Sequence, residues 1–213
     1  MVFINRLKQI LGFNKSGENP ILKVFLEKNC LFFHVPKTAG ISVSSALFGD
    51  IKWGHRDVAY YKTYYGETVF NGLYKFCFVR NPYERLYSAY HFLKKGGVNS
   101  HDLNFSNTHL KEYASFQDFV LNGLNKKEIM DWVHFRPQYR FVCHENGELA
   151  MDFMGKMETL ETDFDALCKH LNLDAELKIL NKNDSEKELI GDEEKRIIKD
   201  KYREDFVLFY PEL

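Results

Sequence analysis

FFHVPKTAGISVSSALF, residues 32–48, is the stretch whose reading decides the fold. With Cys30 and Leu31 ahead of it, its first residues make a short apolar run of strand type that ends at Val35. Residues 36–42, PKTAGIS, break that run with small and polar side chains. From Val43 onward a helix is expected, with Val43, Ala46 and Leu47 on its buried face. A strand feeding a tight loop and then a helix N-terminus leaves backbone N–H groups without intrahelical partners. The helix dipole adds partial positive charge at the same place. Lys37 contributes a full charge, Thr38 and Ser42 contribute hydroxyl donors, and Gly40 lets a backbone approach closely. A phosphate or phosphate-like group suits such a loop; a β-loop-α junction that binds nothing is the alternative. The stretch is not a Walker A loop, G-x-x-x-x-G-K-[ST], because Lys37 precedes Gly40 and Thr38 follows the lysine directly.

Working outward, residues 73–79, LYKFCFV, are nearly continuous in apolar character, as a central strand of a covered parallel sheet should be. RNPYERLYSAY follows at residues 80–90. Asn81 suits an N-cap, and Pro82 falls at the first helical position, where its missing N–H costs nothing. Glu84 is placed to reach back to that cap. Arg80 is then left at the carboxyl edge of the sheet, where open α/β sheets bind ligands. Ser88 lies two turns along the helix, and the pair suits a second phosphate. Taken singly, each reads as a surface arginine and a helix serine.

A chain of 213 residues with 19 Phe and 12 Tyr can bury one large core and is not of disordered composition. Its net charge of −1 gives no global pull toward nucleic acid or membrane. Cys30, Cys77, Cys143 and Cys168 form no C-x-x-C pair, so they read as reduced core residues rather than zinc ligands, which suits a cytoplasmic setting. Residues 1–13 have an amphipathic helical period with Arg6 and Lys8. That helix packs on the domain or lies on a membrane surface; it is too short to span one. Residues 14–20 read as a linker, 58–65 as a short helix, and 96–109 as a long polar loop without period. Residues 116–121 suggest a helix and 151–157 a strand. Residues 130–141, MDWVHFRPQYRF, set aromatics beside His134, Arg136, Gln138 and Arg140. A helix is expected over 162–171, opened by a Thr162/Asp165 capping box, and 177–189 reads as a charged loop. The last element expected is one amphipathic helix over 192–210.

HVPKTAGIS followed by FVRNPYERLYSAY resembles the carbohydrate-sulfotransferase family of the second type, whose members take a sulfuryl group from 3′-phosphoadenosine-5′-phosphosulfate (PAPS). HFRPQ, DFMGKMETLETDF and KYREDFVLFYPEL are similar to later stretches of that family. The likeness runs from about Asn29 to the C-terminus, so a single domain over 1–213 is expected, with residues 1–20 as N-terminal helix and linker and 29–213 as core. The fold implied is α/β, a three-layer P-loop-like sandwich with a mostly parallel central sheet.

The resemblance assigns Pro36, Lys37, Thr38, Ala39, Gly40, Ile41 and Ser42 to the 5′-phosphosulfate, and Arg80 and Ser88 to the 3′-phosphate. Two departures stand out. Ile41 replaces a hydroxyl residue common in the family, and the membrane stem of its Golgi members has no counterpart. The second leads to the expectation of a soluble enzyme, touching membrane at most through residues 1–13. Sulfuryl transfer needs in-line positioning, charge stabilisation on the leaving phosphate and a base for the acceptor hydroxyl. Lys37 suits the second task. WGH resembles the place where related glycan enzymes carry a catalytic histidine, so His55 is the candidate base, with His134 its rival. His134 and Gln138 are otherwise expected at the acceptor, a glycan or glycan-bearing molecule. No metal is expected. The alternatives are a P-loop-type kinase and a non-catalytic anion-binding module. Against the kinase, residues 73–79 end in Arg80 rather than an Mg²⁺-binding Asp.

Overall fold

The computed structural model describes residues 20–49, 54–178 and 190–213. The amphipathic stretch 1–13, most of the linker after it and most of the charged loop 177–189 lie outside the described residues. The fold is α/β, built on a parallel sheet of three strands in the order β1-β2-β3. These are β1 (Cys30–Phe33), β2 (Tyr74–Val79) and β3 (Phe153–Lys156). Central β2 pairs Phe76 with Phe32 on one side and with Phe153 on the other.

Alternation puts neighbouring side chains on opposite faces of a strand, and helices cover both faces here. Phe32 stacks on Phe76 at 5.2 Å and lies 6.4 Å from Phe48 of α2 (Gly40–Phe48). Phe33 meets Tyr61 of α3 (Val58–Tyr65) at 5.0 Å and Phe70 of α4 (Glu67–Gly72) at 6.5 Å. Ahead of β1, α1 (Pro20–Glu27) carries Phe25, fully buried against Phe48 and Tyr61. It opens with Pro20, the last residue of the expected linker. All four cysteines are buried and free.

Several elements start or end elsewhere than the local pattern implies. Helix α2 begins at Gly40, three residues before Val43, because Lys37 and Ala39 both take left-handed backbone and turn the chain early. Helix α5 (Pro82–Lys94) is capped as expected, Asn81 Oδ1 accepting from Tyr83 N–H at 2.9 Å. The N–H of Asn81, however, donates to Glu158 at 2.7 Å rather than to Glu84. The stretch 96–109 is not a loop: Asn99 caps α6 (Ser100–Phe105), which runs on as a wider turn over Ser106–Leu110. Helix α7 (Leu160–Leu171) starts two residues before the expected capping box, Thr159 Oγ1 donating to Asp163 at 2.6 Å. The final helix is two, α8 (Asp192–Lys201) and α9 (Arg203–Phe209), broken at Tyr202. There the buried ring sends its hydroxyl to Phe135 O at 2.7 Å, and that anchor bends an otherwise continuous amphipathic pattern.

Candidate functional site

The carboxyl ends of β1 and β2 bring two loops together. After β1 the chain passes through His34 and Val35 into residues 36–39 and the N-terminus of α2. Val43 N–H donates to Ala39 O at 3.2 Å, so the amides of Gly40, Ile41 and Ser42 precede the first intrahelical bond. Pro36, Thr38 and Ser42 are buried, Lys37 and Ala39 are half-buried, and the Ile41 side chain is 55% exposed. Thr38 donates its hydroxyl to Val35 O at 2.9 Å, so that proton is committed inside the loop rather than to a ligand. Gly40 serves a neighbour as well. A Cβ there would lie 1.9 Å from the His34 ring, so the missing side chain makes room for an imidazole.

His34 belongs to a histidine cluster, centred on His55, that the motif alone did not reveal. Its ring lies 4.4 Å from that of His55, and His55 lies 5.4 Å from His134. His55 Nδ1 is 2.8 Å from His34 O. A carbonyl can only accept, so Nδ1 carries the proton and Nε2 keeps its lone pair. Packed surroundings push the His55 pKa below the usual histidine value, the bond to His34 O and the Asp102 charge opposing, Lys37 and Arg85 adding to the fall. Burial, with His55, Lys37 and Arg85 nearby, takes His134 down to about 3. His134 Nε2 stands 3.4 Å from Asp102 Oδ1, and Asp102 is buried, with Asn99 Nδ2 on its other oxygen at 2.9 Å. His134 is therefore a neutral imidazole beside a carboxylate. The local signal for Asp102 was Asn99 three residues before it, a cap in a stretch read as loop.

The cations stand at the same edge. Lys37 Nζ lies 4.0 Å from the Phe92 ring centre, and Phe92 in turn contacts His134 at 4.9 Å. Burial pulls Lys37 down to about 8, Arg80 adding to the fall and Asp102 opposing it. Arg80 Nη1 reaches Lys37 O and Nη2 reaches Glu84, each at 3.5 Å. Ser88 is half-buried on α5, with no hydrogen bond to Arg80 among the described residues. Gln138 is fully buried behind Arg80, its amide bonded at both ends to the Arg80 main chain. Arg85, also buried, donates to His134 O at 3.3 Å and Arg136 O at 2.7 Å. Among the described residues no group of three or more His, Cys, Asp or Glu is arranged to hold a metal ion, and no helix is long and apolar enough to cross a membrane.

This arrangement offers helix amides, a lysine and an arginine for anionic oxygens, with an imidazole lone pair beside them. Comparison with known proteins bears on what it handles. The sequence pattern of the sulfotransferase family matches residues 22–211. An uncharacterized protein of Archaeoglobus fulgidus is 32% identical over 114 residues, 54% of this chain and 80% of that protein. Carbohydrate sulfotransferase 12 of Mus musculus is 30% identical over 125 residues, covering 48% of this chain. The Xenopus laevis protein of the same name is 31% identical over 124 residues, covering 47%. In each of these two, the match spans 29% of the relative's own length. No solved structure matches.

Proposed function

Because the chain belongs to the sulfotransferase family, we propose that it moves a sulfuryl group from PAPS to a hydroxyl of a glycan or glycan-bearing acceptor, with His55 as general base. The observation that carries the reading is the 2.8 Å contact of His55 Nδ1 with His34 O, which leaves the Nε2 lone pair available next to the Lys37 loop. The glycan class is drawn from the two relatives named as carbohydrate sulfotransferases.

When bound, PAPS supplies a sulfuryl group on a 5′-phosphate leaving group and a 3′-phosphate as a second handle. The residues suit it. The amides that open α2 and the Lys37 ammonium fit the leaving phosphate, whose growing charge they stabilise. Arg80 fits the 3′-phosphate, which would draw its guanidinium from the 3.5 Å contact with Glu84. Ser88 is assigned beside it from the motif. In the transfer the acceptor oxygen bonds to sulfur, the bond from sulfur to the phosphate oxygen breaks, and the acceptor proton passes to His55 Nε2. His134 belongs to the same cluster and is assigned to the acceptor side.

The test is turnover with sulfur-labelled PAPS and a panel of glycans, in EDTA. Label on an acceptor together with released 3′,5′-ADP is expected, since lysine, arginine and amides supply the positive charge. Turnover that requires Mg²⁺ and ATP would instead make the protein a kinase. PAPS binding without release on any acceptor would make it a binding module.

A further inference from the structure

We propose that Gln138 and Asp205 are positioning residues for Arg80, fixing the main chain from which its guanidinium reaches an anionic ligand. The inference rests on the reading of Arg80 as the 3′-phosphate contact. Arg80 is the first residue beyond β2, whose ladder to β3 ends with Val79 opposite Lys156. There a side chain replaces the missing strand. Gln138 Oε1 accepts from Arg80 N–H at 2.9 Å, and its Nε2 donates to Arg80 O at 2.8 Å. One amide thus offers the acceptor and donor that a neighbouring backbone would offer, and pairing extends by one residue.

Gln138 is held in its turn. Its own N–H and that of Tyr139 donate to the two oxygens of Asp205 at 2.8 and 2.9 Å. Asp205 is wholly buried on α9. Burying a carboxylate is costly unless it is well bonded, and this one holds the turn that carries Gln138. Arg85 fixes the same turn through the carbonyls of His134 and Arg136. The hydrogen bonds of the Arg80 side chain to Glu84 and Lys37 O are long, at 3.5 Å each, so its main chain does much to set its direction.

Gln138→Leu keeps the size and removes both bonds, while Asp205→Asn keeps the shape and turns one acceptor into a donor. Calorimetry with 3′,5′-ADP and with 5′-AMP, which lacks the 3′-phosphate, reads the effect. Each variant should bind 3′,5′-ADP about tenfold or more weaker, as expected when an orienting partner is lost. Binding of 5′-AMP should change little. Gln138→Glu, which keeps the acceptor for Arg80 N–H, should recover part of the loss. A wild-type preference for 3′,5′-ADP that survives in both variants overturns the positioning role, as does an equal loss for both ligands. If Asp205→Asn does not fold, Gln138→Leu decides; if neither folds, the residues serve the fold and the inference falls. A wild-type protein without that preference removes the assignment of Arg80 itself, a different failure.

Discussion

Lys37 and His55 are pushed the same way by their surroundings, toward their neutral forms, yet the proposed chemistry needs one charged and the other neutral. Lys37 must be protonated to meet the leaving phosphate. Its pKa of about 8 means that this contribution is present below pH 8 and lost as pH rises through it. His55 must be unprotonated, and its lowered pKa moves the acid limb below the usual histidine range. A bell-shaped kcat/KM profile with an alkaline limb near 8 is therefore expected, measured by PAPS turnover across pH. Lys37→Ala should lower kcat by about two orders of magnitude without loss of fold. His55→Ala should cut the rate by about 10²–10⁴ with PAPS affinity unchanged. If His134 were the base, no acid limb would stand near neutrality, because that imidazole is held at about 3. In that case His134→Ala would be inactive and His55→Ala active. The sequence pointed to Lys37 and Arg80 through motifs whose residue types announce charge, and to His55 through the resemblance of WGH. The roles of the His34 carbonyl and the Gln138 amide were not legible there. They act on partners 21 and 58 positions away, and local pattern carries no trace of that.

At the scale of elements, β1, its loop and α2 act as one unit, and Gly40 is its hinge in the steric sense. A methyl group there would fall 1.9 Å from the His34 ring, whose carbonyl holds His55. Gly40→Ala is expected to cost about 1–3 kcal/mol of stability, the range for overpacking, and to lower kcat as well. Ile41→Thr, one residue on but exposed, should stay within about 0.5 kcal/mol of wild type. Thermal unfolding and turnover of the two variants check the contrast. Strands β1 and β2 and the Asn81-Pro82 start of α5 could be read from sequence, because buried runs and caps are local signals. Helix α6 could not. Leu103 is 49% exposed while Phe105 and Leu110 are buried, so its apolar residues keep no helical period.

Across the whole molecule, the site joins segments that only the fold makes neighbours, and the C-terminal helices hold the last of them. The amphipathic period of residues 192–210 runs straight through Tyr202, which is why one helix was expected. The break comes from a distant carbonyl, that of Phe135. Tyr202→Phe leaves that buried carbonyl without its donor, a loss of about 1–3 kcal/mol; denaturant unfolding should show a lower midpoint with an unchanged slope. Asp205 has a further consequence for how the protein is made. It comes late in the chain, yet it secures the turn that secures Arg80. A nascent chain can leave the ribosome with β1, β2 and β3 already translated and still lack the carboxylate that holds the Gln138 turn. Emergence of α9 would then complete the support of the proposed 3′-phosphate contact, and a premature stop after α7 would yield a product with β1, β2 and β3 but with Arg80 unsupported.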